Sequence, residues 1–148
     1  MFRLYSKGCE YTIRALMHLL PQQEDRYVGA KEICRRARIP EPFTRKMFQA
    51  LVQKGLLRAV PGPRGGYQLA CPPEKISVLR VIRAVEGEDA FDTCILGLPT
   101  CNNRNACPLH VTWSRAKRSL LPDLTATTLR DLVQKKSPRQ HGDGKGNR

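Results

Sequence analysis

The amino-acid sequence predicts a mainly α-helical fold with one small β-hairpin. Three observations support this. Apolar residues recur at helical spacing along most of the chain. A tight, Pro-containing turn separates two short helical stretches. Directly after them, two short apolar segments flank a Pro- and Gly-rich tip.

A first helix is expected from residue 6 to about 20, with Ile13, Leu16, Met17 and Leu20 on one face and Pro21 closing it. Residues 22–27 are polar and predict a loop. Residues 30–37 predict a short helix with Ile33 and Ala37 inward and Lys31, Arg35 and Arg36 outward. Ile39-Pro40-Glu41-Pro42 interrupts the pattern, and Pro42 suits the first turn of the next helix. That helix is expected to reach Lys54, with Phe43, Met47, Leu51 and Val52 on its inner face and Gly55 as its C-cap. Two short helices joined this way make a helix-turn-helix.

Residues 56–60 and 67–70 predict paired strands around the tip Pro61-Gly62-Pro63-Arg64-Gly65-Gly66. A hairpin in that place is a wing. Ser77 predicts the cap of a further helix through Val78, Leu79, Ile82 and Val85, ended by Gly87. Residues 86–92 form an acidic connector, and residues 93–107 a loop. Pro108 is expected to open a long helix toward Leu121, broken at Pro122, with a shorter helix over about 125–133. The expected organisation is a winged helix-turn-helix over 1–87, a cysteine loop over 88–107, the long and short helices over 108–134, and a disordered basic tail over 135–148.

The net charge of +13 is unevenly spread over the 148 residues. Residues 1–70 hold +8, residues 71–134 hold +1 and the last 14 hold +4. Within the part expected to fold, the basic excess lies in the winged half, which points to double-stranded DNA. The outward residues of the second helix, Thr44, Arg45, Lys46, Gln49 and Gln53, are expected to face the major groove. Arg64 at the wing tip is placed to reach a minor groove. Lys31, Gly65, Gly66 and Tyr67 complete the candidate DNA-binding set. No apolar run is long enough for a membrane span. Arg3, Lys7, Glu10 and Arg14 interrupt the stretch that a signal peptide would need, so a cytoplasmic protein is expected. No nucleophile–base pair, phosphate loop or paired carboxylate is present, and His18 and His141 stand alone, so no enzyme is expected.

Cys94, Cys101 and Cys107 follow C-x6-C-x5-C, and the last continues as Cys107-Pro108-Leu109-His110. Three thiolates from one loop, with His110 one turn on, suit a soft metal site. Structural zinc, an iron–sulfur cluster and a metal-free thiol switch are all compatible with this spacing. The missing C-x2-C knuckle favours a cluster. Of the other cysteines, Cys34 is expected to pack inside, Cys71 has no evident partner, and Cys9 beside Glu10 is expected as a half-buried thiol.

In this order the motifs resemble the Rrf-type family of bacterial winged-helix regulators, whose members include IscR, NsrR and RirA. The matching residues are Leu4-Tyr5-Ser6-Lys7-Gly8, Ala30-Lys31-Glu32-Ile33, Gly65-Gly66-Tyr67-Gln68-Leu69-Ala70, the stretch from Val81 to Gly87, and the cysteine segment through His110. The resemblance covers about residues 3–133. It implies a homodimer on palindromic operators, with Val111, Ala116, Leu120 and Leu121 on a C-terminal dimerisation helix. It also implies an iron–sulfur cluster, 2Fe-2S or 4Fe-4S, on Cys94, Cys101 and Cys107. Its fourth ligand would be His110 or Glu10 of the partner subunit. The function so implied is a cluster-controlled transcription regulator, a repressor sensing iron, nitric oxide or redox state.

Overall fold

The computed structural model describes residues 4–20, 26–99 and 102–135. Residues 22–25 of the expected loop, Cys101, and the expected tail beyond Lys135 lie outside the described residues. The elements run α1 (Lys7–Leu19), α2 (Ala30–Ala37), α3 (Glu41–Gln53), β1 (Leu57–Val60), β2 (Gly66–Leu69), a 3₁₀ turn (Pro73–Lys75), α4 (Val78–Glu86), α5 (His110–Ala126) and α6 (Leu129–Gln134).

Local chemistry sets most boundaries. Ser6 Oγ accepts from the Cys9 amide and Ser77 Oγ from the Arg80 amide, each at 3.1 Å, which starts α1 and α4. Thr128 and Asp131 form a reciprocal capping box at α6. At the end of α3, Leu56 N donates to Leu51 O and Gly55 N to Val52 O, with Gly55 left-handed at φ +74°. That is the two-bond C-terminal closure glycine permits.

Helices α1, α2 and α3 close a core around Leu16, Leu19, Ile33, Phe48 and Leu51, and the hairpin adds Leu57 and Leu69. β1 and β2 pair antiparallel, with Leu57 opposite Leu69 and Val60 opposite Gly66. Val28 joins the edge by two bonds to Tyr67, at 2.9 and 2.8 Å, so the wing is stitched to the segment before α2. Helix α6 returns to this core through Leu129, which is fully buried. Two bonds hold it there, Val78 N to Thr127 O and Leu129 N to Ile76 O. A second core joins Cys9 of α1, Val78, Leu79 and Ile82 of α4, Phe91 and Trp113 of α5.

Three sequence expectations are corrected. The short helix expected over about 125–133 starts only at Leu129, because Thr128 caps it. Helix α5 begins at His110 rather than Pro108 and runs through Pro122 to Ala126. Pro122 and Arg118 are both exposed, so water can serve the carbonyl that the proline leaves without a donor. The inner face of α3 is also rotated. Thr44, Phe48 and Leu51 are buried, while Phe43 is 59% exposed. Phe48 sets this rotation, its ring meeting Tyr67 edge-on at 4.9 Å.

Candidate nucleic-acid interface and cysteine site

The rotation of α3 decides which expected DNA-binding side chains face outward. Arg45, Lys46, Gln49 and Gln53 are exposed. Thr44 is not: it is 2% exposed, and its hydroxyl donates to Pro40 O at 3.1 Å. The expectation of an outward Thr44 fails because position 44 shares the inner face with Phe48 and Leu51. Arg45 is held along its own helix by Glu41, with Nη2 and Nε donating to Oε1 at 2.7 and 3.1 Å. That hydrogen bond raises the guanidinium further above its ordinary value.

The wing and the start of α2 frame two adjoining grooves. One, of about 480 Å³, brings together Lys31, Arg45, Gly65, Gly66 and Tyr67. The other, of about 600 Å³, adds Arg26 and Arg64 beside Lys31 and Gly65. Gly29 caps α2 with no side-chain acceptor, so the first amides of α2 have no capping oxygen at this rim. Arg26 was not singled out in the sequence, where it stands in a polar stretch without periodicity. It hydrogen-bonds Glu32 at 3.0 Å, and that contact, ahead of the nearby charges, holds the Glu32 carboxyl below its usual range. Tyr67 is part-buried, its ring on Phe48 and its backbone on Val28.

The cysteine segment lies at the other side of the second core. Cys94 is 7% exposed, Cys107 is half-buried, and their Sγ atoms stand 4.0 Å apart. Asn102 Oδ1 accepts from the amides of Arg104 and Asn105, folding the loop back on itself. His110 Nε2 pairs with Asn103 Oδ1 at 3.0 Å, and Glu10 pairs with Lys7 at 2.9 Å. Among the described residues no three His, Cys, Asp or Glu side chains converge as metal ligands. Trp113, which no motif of the sequence marks, ties the segment down: its indole N–H donates to Thr93 O at 3.0 Å, next to Cys94. The other cysteines differ. Cys34 is buried, as its helix face implied. Cys71 is approached by Arg80 Nη1 at 3.8 Å. Cys9 is wholly buried rather than half-buried.

A helix-turn-helix with a basic wing beside a separate cysteine loop defines a winged-helix transcription regulator. Residues 5–135 match the model of the Rrf2 family, described as iron-dependent transcriptional regulators, and the chain belongs to that family. A helix-turn-helix-type regulator of Haemophilus influenzae is 33% identical over 138 residues, 93% of this chain and 91% of the relative. IscR of Yersinia pseudotuberculosis is 30% identical over 145 residues, 98% and 87% of the two chains. Among solved structures, T. potens IscR superposes with a TM-score of 0.70 at 27% identity, covering 94% of this chain and 92% of that one. The fold is also that of CymR, the global cysteine regulator of B. subtilis, with a TM-score of 0.71 at 22% identity over 91% and 98% of the two chains. The protein is thus a transcriptional regulator, not an enzyme, and no described helix is long and apolar enough to cross a membrane.

Proposed function

We propose that the protein is a cytoplasmic homodimeric repressor of palindromic operators, its DNA affinity set by an iron–sulfur cluster on Cys94, Cys101 and Cys107. What carries this reading is the match to a family described as iron-dependent regulators, taken together with the 4.0 Å between the Cys94 and Cys107 sulfurs. Two thiolates on one tetrahedral ion, with bonds of about 2.3 Å, are separated by roughly 3.8 Å. A disulfide would need about 2.05 Å. Two of the three thiols thus stand at a separation that one soft ion could share, zinc or an iron of a 2Fe-2S cluster, and Cys101 lies between them in sequence. His110, or Glu10 of the partner subunit, would supply the fourth ligand, a donor weaker than thiolate that would leave the cluster responsive to its signal. When bound, the cluster supplies a reversible, signal-sensitive cross-link of the loop.

The chain's own residues do the rest. Arg45, Lys46, Gln49 and Gln53 present polar groups to the major groove. Lys31 and Arg64, with the amides opening α2, hold backbone phosphate. Helix α5 leaves Val111 62% exposed, beside Leu109 at 42%, which supports a partner helix over its first turn; of the expected dimer stripe, Leu120 and Leu121 instead pack on the second core of their own subunit. Trp113 fastens the loop to α5, so a change at the cysteines reaches the helix that spaces the two reading heads. Operator half-sites are about one helical turn apart, so that spacing controls affinity. Regulation requires that the two cluster states bind DNA unequally.

The close Cys94–Cys107 pair also favours a second reading, a thiol switch. There an oxidant takes two electrons, both thiol protons leave, and an S–S bond forms. The similar CymR of Staphylococcus aureus has been solved in an oxidised form, with a TM-score of 0.67. Anaerobic purification followed by iron, sulfide and zinc analysis separates the readings. Iron with acid-labile sulfide, lost together with operator regulation in Cys107→Ala, is the expected result. One zinc per subunit, or metal-free protein that still regulates DNA, would overturn the cluster.

A further inference from the structure

A third cavity, of about 400 Å³, lies away from both the wing and the cysteine loop. It opens between Lys54 at the end of α3, Ser77, Arg80 and Arg83 of α4, Glu88 just beyond it, and Thr125 in the last turn of α5. Its floor is apolar, made by Leu56 and Leu79, which are 1% and 7% exposed. Three cations against one carboxylate leave a net positive wall.

The charges inside are poorly matched to one another. Arg83 Nε is buried with no hydrogen-bond partner among the described residues. No hydrogen bond or ion pair engages the Arg83 side chain among the described residues, so the rest of its guanidinium, on a half-buried side chain, is left for an occupant of the cavity. The Arg80 guanidinium meets the Cys71 sulfur, a weak acceptor, at 3.8 Å. Lys54 reaches Glu88 at 3.7 Å, where Glu88 is 72% exposed, a long and screened pair that an incoming carboxylate can replace. Arginine pairs over an apolar floor suit planar carboxylates better than a compact, strongly hydrated anion.

We propose that this cavity binds a small organic dicarboxylate, its carboxylates on Arg80, Arg83 and Lys54 and its short carbon spacer on Leu56 and Leu79. Such a ligand touches the cap of α3, α4 and the end of α5 at once, so it joins the reading helix to the long C-terminal helix. The binding does not depend on a cluster or on DNA.

Titration calorimetry of the full-length protein, without DNA, tests it with succinate, butyrate and inorganic phosphate as probes. Succinate should bind saturably, one per chain, with butyrate and phosphate each at least about tenfold weaker. Arg83→Gln should weaken succinate by about tenfold or more. Arg80→Gln, at an exposed position that the core does not need, should do the same with an unchanged circular dichroism spectrum. No saturable succinate binding, affinity unchanged in Arg80→Gln, or phosphate binding as tight as succinate would each overturn the proposal. So would a loss of duplex affinity in Arg83→Gln with no dicarboxylate present, because the groove would then hold DNA phosphate.

Discussion

Gly66 is the residue on which the wing turns. Its φ is +140°, and a Cβ there would lie 2.3 Å from Val28 O, inside the backbone that pairs with Tyr67. Gly65 is as confined, its Cβ position 2.0 Å from Val60 O. The Gly-Gly-Tyr sequence is thus explained by close backbone approach, whatever it touches on DNA. Gly66→Ala should cost about 1–3 kcal/mol and lower Tm by several degrees. Gly29→Ala, which meets nothing within 4 Å, is the matched control for thermal unfolding and should leave Tm nearly unchanged. Cys9 is the second residue with a definite consequence. Burial first, then Glu86 and Glu10, push its thiol from 9.0 up to about 12. The unfolded thiol ionises near pH 9 while the folded one stays neutral. Its contribution to stability is therefore full below about pH 9 and falls as pH rises from there toward 12. Native protein treated with iodoacetamide at mildly alkaline pH should leave Cys9 unmodified by peptide mass analysis, and urea should expose it.

At the scale of elements, the sequence made the starts of helices legible and the rotation of their faces less so. Ser6 and Ser77 identify the starts of α1 and α4 because a capping hydroxyl acts on its own next turn. The hairpin was equally readable from its tip. The inner face of α3 was not, because Phe43, Met47 and Phe48 offer competing apolar stripes, and only the Tyr67 ring on Phe48 selects one. The signal available was the spacing of Phe48 and Leu51, three apart on one face. Pro122 misled for a different reason: a proline inside a helix can kink it without ending it, and the exposed Arg118 carbonyl it leaves without a donor can turn to water. Helix α5 hangs on Trp113, its one buried residue, with Lys117 over the ring and the indole N–H on Thr93 O. Trp113→Phe keeps a ring in the second core and removes the hydrogen bond. It should cost about 1–2 kcal/mol in urea unfolding and, if the proposed cluster is present, speed loss of its iron to a chelator. Unaltered metal retention would show that this bond does not hold the cysteine loop.

At the scale of the whole molecule, the charge and the cores divide differently. The basic excess belongs to the first 70 residues, yet their core is completed by Leu129, almost at the end of the described chain. The fold therefore returns the last helix to the reading head. The candidate cysteine site was half legible: C-x6-C-x5-C marked its residues, but neither the Cys94–Cys107 approach nor the Trp113 tie follows from spacing. The candidate DNA face is proposed from a list of basic and polar residues; the structure buries Thr44 and sets Arg26 in the groove beside Lys31 and Arg64. By itself the sequence determined the order of elements, the starts of α1 and α4, the wing, and the separation of the basic half from the C-x6-C-x5-C loop. These depend on residues a few positions apart, whose interactions survive in any surroundings. Only the tertiary structure decided how α3 is rotated, which cations share a groove, which two thiols meet and where α6 ends. Those outcomes depend on surfaces distant in sequence, and the burial of Phe48, Trp113 and Leu129 together selects one arrangement among several that local pattern allows.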